Sequence, residues 1–268
     1  MSSPIADDLA VALSLADVAD ALSMARYRAD DLVVDTKPDL TPVTEADRAV
    51  EQTLRAELAR VRPDDSVLGE EYGSAGDTAR RWVLDPIDGT KNYVRGVPVW
   101  ATLIGLMVDD DVVVGVVSAP ALGRRWWAAR GLGAYMSDIG TVGPRRLRAS
   151  AVAEVADASF SFSDPVGWAE KGAGAGLEAL LSQTWRQRGY GDFWSHMLVA
   201  EGAVDIAAEP ELQTYDMAAL IPIVEEAGGR ITAYDGSSAL GGGSAVTTNG
   251  PLHDQVLKML ADPDHPKR

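Results

Sequence analysis

The chain has no cysteine and only three histidines in 268 residues. The first absence excludes disulfides, thiolate metal sites and a cysteine nucleophile. The second leaves no histidine-rich zinc site, because His196, His253 and His265 are scattered along the chain. Any metal would therefore be held by oxygen, which favours Mg²⁺ or Mn²⁺. Basic residues are also in deficit: 24 Lys and Arg stand against 40 Asp and Glu, for a net charge of −16. That balance argues against binding to nucleic acid or to an anionic membrane. No apolar run approaches membrane-spanning length. The opening Met1-Ser2-Ser3-Pro4 lacks the basic and apolar regions of a signal peptide, so the expected location is the cytoplasm. What is present, 46% apolar and 24% charged residues, suits one large domain or two closely packed lobes, about 1–145 and 146–268.

The chain is organised around Arg81-Trp82-Val83-Leu84-Asp85-Pro86-Ile87-Asp88-Gly89-Thr90. The apolar Trp82, Val83 and Leu84 read as a short buried strand. Pro86 cannot continue a hydrogen-bond ladder, so the strand is expected to stop there, with Asp85 at its tip and Asp88 across a constrained turn. Gly89 allows close backbone approach to a ligand, and Thr90 offers a hydroxyl and an N–H for an anion at a possible helix start. Two carboxylates aimed at one point beside anion-binding backbone are what a hard metal ion and a phosphate need together. Either Asp dipeptide alone would be only a polar turn; the whole stretch reads as a site.

Before this stretch, residues 5–28 form an amphipathic pattern for a first helix. A second helix starts near Thr44, where Thr44 and Asp47 fit a capping box; Asp47 is then both a first-turn carboxylate and an acid at the lip of a site. Glu70 and Glu71 follow a short apolar strand, and residues 73–77 read as a mobile loop. Beyond the centre, residues 97–108 and 112–117 make a hairpin around Asp109-Asp110-Asp111. In the second half, helices are expected at 177–185, 193–201 and 251–261, strands at 158–162, 204–208, 231–233 and 245–248, and a frayed tail at 262–268. Asp216 is expected to cap a single helix over 217–227, stopped by Gly228-Gly229.

Three acidic motifs, Glu70-Glu71, Asp85-Pro86-Ile87-Asp88-Gly89-Thr90 and Tyr215-Asp216-Met217-Ala218-Ala219, occur in order and far apart. With Lys37, Thr41-Pro42-Val43-Thr44, Asp47 and Glu226-Ala227-Gly228-Gly229, this set resembles the inositol monophosphatase superfamily of Mg²⁺-dependent, lithium-sensitive phosphatases. Residues 91–103 and the turn Arg188-Gly189-Tyr190-Gly191-Asp192 are similar to its bacterial histidinol-phosphatase branch. The resemblance implies an α+β fold, a layered αβαβα sandwich of the inositol monophosphatase / fructose-1,6-bisphosphatase type forming one catalytic domain, usually a homodimer. It implies Glu70, Asp85, Asp88, Asp216 and the Ile87 carbonyl as metal ligands. Asp88, Gly89 and Thr90 would hold the phosphate, and Asp47 and Thr90, with Glu70, would serve in-line attack by metal-activated water. Mg²⁺ is the expected cofactor, Mn²⁺ a substitute and Li⁺ an inhibitor.

For the substrate, a small phosphorylated molecule, the same resemblance points to Arg188, Gly191, Asp192, Glu209 and Asp216. Acids near the leaving group suit histidinol phosphate, which carries an ammonium and a titratable imidazole. Inositol 1-phosphate is the alternative, and Asp192 discriminates better than Glu209. Fructose bisphosphate and phosphoadenosine phosphate would want clustered Lys or Arg there instead. Asp109 and Asp111 fit the short motif of aspartyl-phosphate-forming enzymes, but three acids between valine-rich runs are an ordinary hairpin tip. A non-catalytic regulator of a transcription complex is the remaining alternative.

Overall fold

The computed structural model describes residues 4–38 and 40–261, so the expectations for the first three residues and for the 262–268 tail fall outside the described residues. The chain divides into two compact units. One contains the residues up to Arg146 together with Ala218–Ile223; the other contains Leu147–Met217 and the residues from Val224 onward.

In the first unit, α1 (Pro4–Arg26) turns Ala12, Leu15, Ala16 and Ala19 inward at helical spacing. A short hairpin, β1 (Val34–Thr36) with β2 (Pro42–Thr44), leads into α2 (Glu45–Val61). Thr44 caps α2 with the expected reciprocal bonds: its hydroxyl accepts from the Ala46 and Asp47 N–H groups, and Asp47 accepts from the Thr44 N–H. α1 and α2 bury Leu15, Val50, Leu54 and Leu58 against Trp82, Leu84, Ile104 and Val116 of the sheet.

That sheet contains β3 (Ser66–Gly69), β4 (Gly73–Ala75) and β5 (Arg80–Asp88), which is followed by the one-turn α3 (Thr90–Val94). It continues through β6 (Ala101–Val108), β7 (Asp111–Ala119), β8 (Arg124–Ala129), β9 (Gly133–Asp138) and β10 (Arg145–Arg146). The order is β10-β9-β8-β7-β6-β5-β3-β4, antiparallel except for the β3–β5 pair. Residues 73–75 are thus not loop: they pair with β3 as an edge strand, Gly69 facing Gly73. Nor does β5 stop at Pro86. It runs through to Asp88, and the ladder to β6 slips between Asp85 and Asp88. Pro86 has no N–H to lose in that irregularity, and its carbonyl accepts from the Thr102 hydroxyl at 2.8 Å.

The second unit is built on a five-stranded sheet flanked by helices. Along the chain come β11 (Ser159–Phe162), α4 (Pro165–Glu170), α5 (Gly174–Gln183), β12 (Arg186–Arg188), α6 (Asp192–Ala200), β13 (Ile206–Glu209) and α7 (Thr214–Met217). α8 (Leu220–Glu226), β14 (Arg230–Thr232), α9 (Ala239–Gly242), β15 (Ala245–Thr248) and α10 (His253–Ala261) follow. The sheet order is β12-β11-β13-β15-β14, with β11 parallel to both its neighbours. Phe160, Ile206, Ala208 and Val246 pack with Leu177, Leu180, Val256 and Leu260 of α5 and α10.

The single helix expected over 217–227 is two helices, and Asp216 lies in the first turn of α7 rather than capping a longer one. Pro222 accounts for the break, since it has no N–H to bond the Ala218 carbonyl one turn back. Where the chain passes from α7 to α8 it crosses the first unit's sheet at two glycines. A Cβ on Gly115 would fall 2.1 Å from the Ala219 carbonyl oxygen, and one on Gly105 would fall 3.0 Å from the Ala218 Cβ.

Candidate metal and phosphate site

The slip in β5 positions the central acids. In a regular strand, residues three apart face opposite sides of the sheet. Between the pairs Asp85–Leu103 and Asp88–Ala101, β5 spends one residue more than β6, and such a bulge re-aims the side chains beyond it. Asp85 and Asp88 each offer a carboxylate oxygen within 4.8 Å of the other, an acidic group able to hold a metal. Asp85 is 2% exposed. The strand then ends at Gly89, whose φ of 83° is left-handed and needs glycine, and the chain turns into α3.

Thr90 opens α3, and its hydroxyl faces two acceptors, the Ile87 carbonyl at 3.0 Å and Asp47 Oδ1 at 3.3 Å. Asp47 is fully buried, and its other oxygen accepts from the Thr44 N–H at 2.8 Å and the Thr44 hydroxyl at 2.6 Å. Burial raises the Asp47 carboxyl above its ordinary range, and the bonds from Thr44 oppose that rise only in part. Asp47 is therefore both the helix-capping acid and an acid in contact with Thr90.

Glu70 stands on the turn after β3. Lys37 bridges it and Glu71 with Nζ–O distances of 2.7 and 2.6 Å. Burial alone would depress the Lys37 ammonium, but hydrogen bonds to the two carboxylates outweigh it and raise its pKa. Burial likewise raises Glu71 despite the Lys37 bond. Beneath this turn lies Glu51, fully buried, which sequence reasoning did not single out. Its carboxylate accepts from the Glu71 N–H at 2.7 Å, the Tyr72 N–H at 3.2 Å and Arg55 Nε at 2.7 Å. Only a glycine fits above it, since a Cβ on Gly69 would sit 2.0 Å from Glu51 Oε1. The signal was an acid on the core-facing stripe of α2, between Asp47 and Leu54.

The remaining expected residues lie in the second unit. Asp216 Oδ2 accepts from the Gln213 N–H at 2.6 Å, and Asp216 stands two residues before the segment that enters the first unit. Arg188 ends the edge strand β12, Gly191 precedes α6, and Asp192 is its first residue. The Gly191 N–H donates to Ser195 Oγ at 2.9 Å, which fixes that turn on its helix. Glu209 ends β13 and is 6% exposed. Asp109 belongs elsewhere. It sits at the β6–β7 hairpin tip and lines a cavity of about 390 Å³ with Asp77, Arg81 and Asp110, at the far end of β5 from Asp88.

An α+β fold with clustered carboxylates, a glycine-turned strand end and a buried acid–hydroxyl pair defines a class, and comparison with known proteins bears on the same class. The model of the inositol monophosphatase family matches residues 6–262, and the chain belongs to that family. It is 60% identical to a histidinol-phosphatase of Mycobacterium tuberculosis over 95% of this chain and 98% of that protein. It is 55% identical to a histidinol-phosphatase of Streptomyces coelicolor over 95% of this chain and 97% of that one. Among solved structures, an inositol monophosphatase from Zymomonas mobilis is similar with a TM-score of 0.85 at 30% identity, covering 97% of this chain and 100% of that chain. Among the described residues, no helix is long and apolar enough to cross a membrane.

Proposed function

We propose that this protein hydrolyses histidinol phosphate to histidinol and inorganic phosphate, a step of histidine biosynthesis, as a Mg²⁺-dependent phosphoric monoester hydrolase. The observation that carries the chemistry is the pair Asp85 and Asp88, brought together by the bulge in β5 beside the Asp47–Thr90 contact. The substrate rests on the two relatives of 60% and 55% identity, each named a histidinol-phosphatase.

Glu70, Asp85, Asp88, Asp216 and the Ile87 carbonyl would hold the metal. An all-oxygen donor set with no thiolate fits Mg²⁺, with Mn²⁺ as a substitute, and the family resemblance implies Li⁺ as an inhibitor. When bound, the metal supplies Lewis-acid charge to the phosphate oxygens and makes water more acidic. The protein's own groups do the rest. The backbone at Gly89 and Thr90 receives the phosphate. With the Ile87 carbonyl engaged as a ligand, the acceptor left for the Thr90 hydroxyl is Asp47. The Thr90 oxygen then accepts a hydrogen bond from the attacking water and orients it in line with the leaving alcohol. No covalent intermediate is required, so acid quenching should trap no phosphoenzyme.

Arg188, Gly191, Asp192, Glu209 and Asp216 would receive the leaving group, whose ammonium and imidazole favour facing acids. The full chain would act as one catalytic domain with a metal and phosphate lobe and a substrate lobe, as a cytoplasmic homodimer with no nucleic-acid or membrane partner.

The test is phosphate release with Mg²⁺ from histidinol phosphate and inositol 1-phosphate in parallel. A preference of about tenfold or more in kcat/KM for histidinol phosphate, worth about 1.4 kcal/mol, is expected. A preference for inositol 1-phosphate would retain the metal chemistry and overturn the substrate. Turnover of neither would favour a partner-binding protein.

A further inference from the structure

Strand register in the second unit brings a histidine beneath the proposed substrate carboxylate. β13 and β15 pair antiparallel with Ala207 opposite Thr247. These two residues share a face of the sheet, and Glu209, two positions beyond Ala207, shares it as well. α6 covers that face, its Leu198 and Val199 packing with Val204 and Ala207. His196 of α6 is 1% exposed and reaches both strands. Its Nδ1 lies 2.7 Å from Thr247 Oγ1 and its Nε2 lies 3.5 Å from Glu209 Oε1. Both Nε2 and Oε1 are buried, and neither atom has a hydrogen-bond partner among the described residues.

A buried carboxylate oxygen with no donor is costly. Among the described residues, His196 Nε2 stands 3.5 Å from Glu209 Oε1. Which ring nitrogen carries the hydrogen follows from its two neighbours. A hydrogen on Nδ1 alone would turn the Nε2 lone pair against the carboxylate. A hydrogen on Nε2 lies on the side of Glu209 Oε1, 3.5 Å away, and leaves Nδ1 to accept from the Thr247 hydroxyl at 2.7 Å.

We propose that His196 is a positioning residue that sets substrate choice. Its imidazole holds Glu209 Oε1 inward, leaving the rest of the carboxylate for the cationic part of the leaving group. The preceding residue, Ser195, accepts from the Gly191 N–H and pairs with Ser161 Oγ at 2.7 Å. Two consecutive residues of α6 thereby steady the Gly191–Asp192 turn and Glu209. This inference rests on the proposed role of Glu209 and on histidinol phosphate as substrate.

The experiment compares kcat/KM for histidinol phosphate with that for propyl phosphate, whose alcohol carries neither ammonium nor ring, in the Mg²⁺-loaded full chain. Glu209→Gln should lower the ratio about tenfold, and His196→Asn, which keeps an amide near Thr247 but nothing at the Nε2 position, should lower it to a similar extent, chiefly through KM. His196→Gln, whose amide reaches toward Glu209, should recover much of the loss. In the Glu209→Gln background, His196→Asn should have no further effect. Thr247→Val, which removes the donor to Nδ1, gives a milder variant should His196→Asn fail to fold, and should lower the ratio by about threefold. If Glu209→Gln lowers the ratio while His196→Asn or Thr247→Val leaves it unchanged, the positioning role is overturned and the substrate assignment stands. If Glu209→Gln itself leaves the ratio unchanged, the role given to Glu209 fails, and this inference with it.

Discussion

Asp88 ends one apolar strand and Asp109 follows another, and each alone reads as a polar turn. Their surroundings separate them: Asp88 shares a point with Asp85, whereas Asp109 turns a hairpin with φ of 55° and donates its N–H to the Ala79 carbonyl at 2.6 Å. Asp88→Asn should reduce phosphate release by about 10³-fold or more, the range for losing a group that stabilises developing charge, while Asp109→Asn should stay within about twofold. Comparable losses in both would overturn the metal assignment. Glu51 invites a different test because it touches the Glu70 turn only through backbone. Glu51→Ala would remove the acceptor of the part-buried Glu71 and Tyr72 N–H groups and of Arg55 Nε, costing about 1–3 kcal/mol of stability, readable by urea unfolding. It should also raise the Mg²⁺ concentration for half-maximal activity, since the turn carrying Glu70 loses its support. The capping role of Asp47 was legible, because a capping box is written in four adjacent residues. Glu51 was not, since its partners lie 20 and 21 residues away.

Elements were easier to place than their ends, and the reason is visible in β5. Its apolar core and its proline were both read from sequence, yet Pro86 interrupts only the ladder, not the strand, because β6 shifts its pairing there. Whether a proline ends a strand or sits in a bulge depends on the neighbouring strand, which local sequence does not contain. The break between α7 and α8 is similar. Pro222 marked it, but the packing of Ala218 and Ala219 against Gly105 and Gly115 accommodates the chain there. Gly115→Ala should therefore cost about 1–3 kcal/mol, since its Cβ would meet backbone that cannot rotate away. Gly241→Ala in α9, where nothing lies within 4 Å, should be neutral or stabilising by up to about 1 kcal/mol. Equal effects in thermal unfolding would refute the close-approach argument.

For the protein taken entire, acid stability has an identifiable contributor besides its many carboxylates. His253 is fully buried, with Nε2 2.9 Å from Thr232 Oγ1 and Nδ1 3.1 Å from Thr248 Oγ1. Burial, reinforced by Arg230 and opposed by Asp254, pushes its pKa down to about 4. Above pH 6.5, the imidazole is neutral folded or unfolded and contributes no pH dependence. As pH falls from there toward 4, only the unfolded chain takes up the proton, so stability is lost across that window, by about 2 kcal/mol at pH 5. His253→Gln should lower stability at pH 8 but flatten its decline between pH 7 and 5, measured by urea unfolding at each pH. An unchanged slope would show that the carboxylates alone set it.

The sequence by itself determined the kind of chemistry this protein can do. Without cysteine and with three scattered histidines, a metal is expected on oxygen, and the ordered acidic motifs with their glycine and threonine carried the family resemblance from which the proposed ligands come. It also determined helix starts such as Thr44, because capping is a matter of neighbours. The tertiary structure alone decided that β5 runs through Pro86 and slips its ladder between Asp85 and Asp88, that Glu51 carries the Glu70 turn, and that His196 lies beside Glu209. Each of these depends on strand register or on helix-to-sheet contact between distant residues, and a one-residue change in register would send the same side chains to the opposite face.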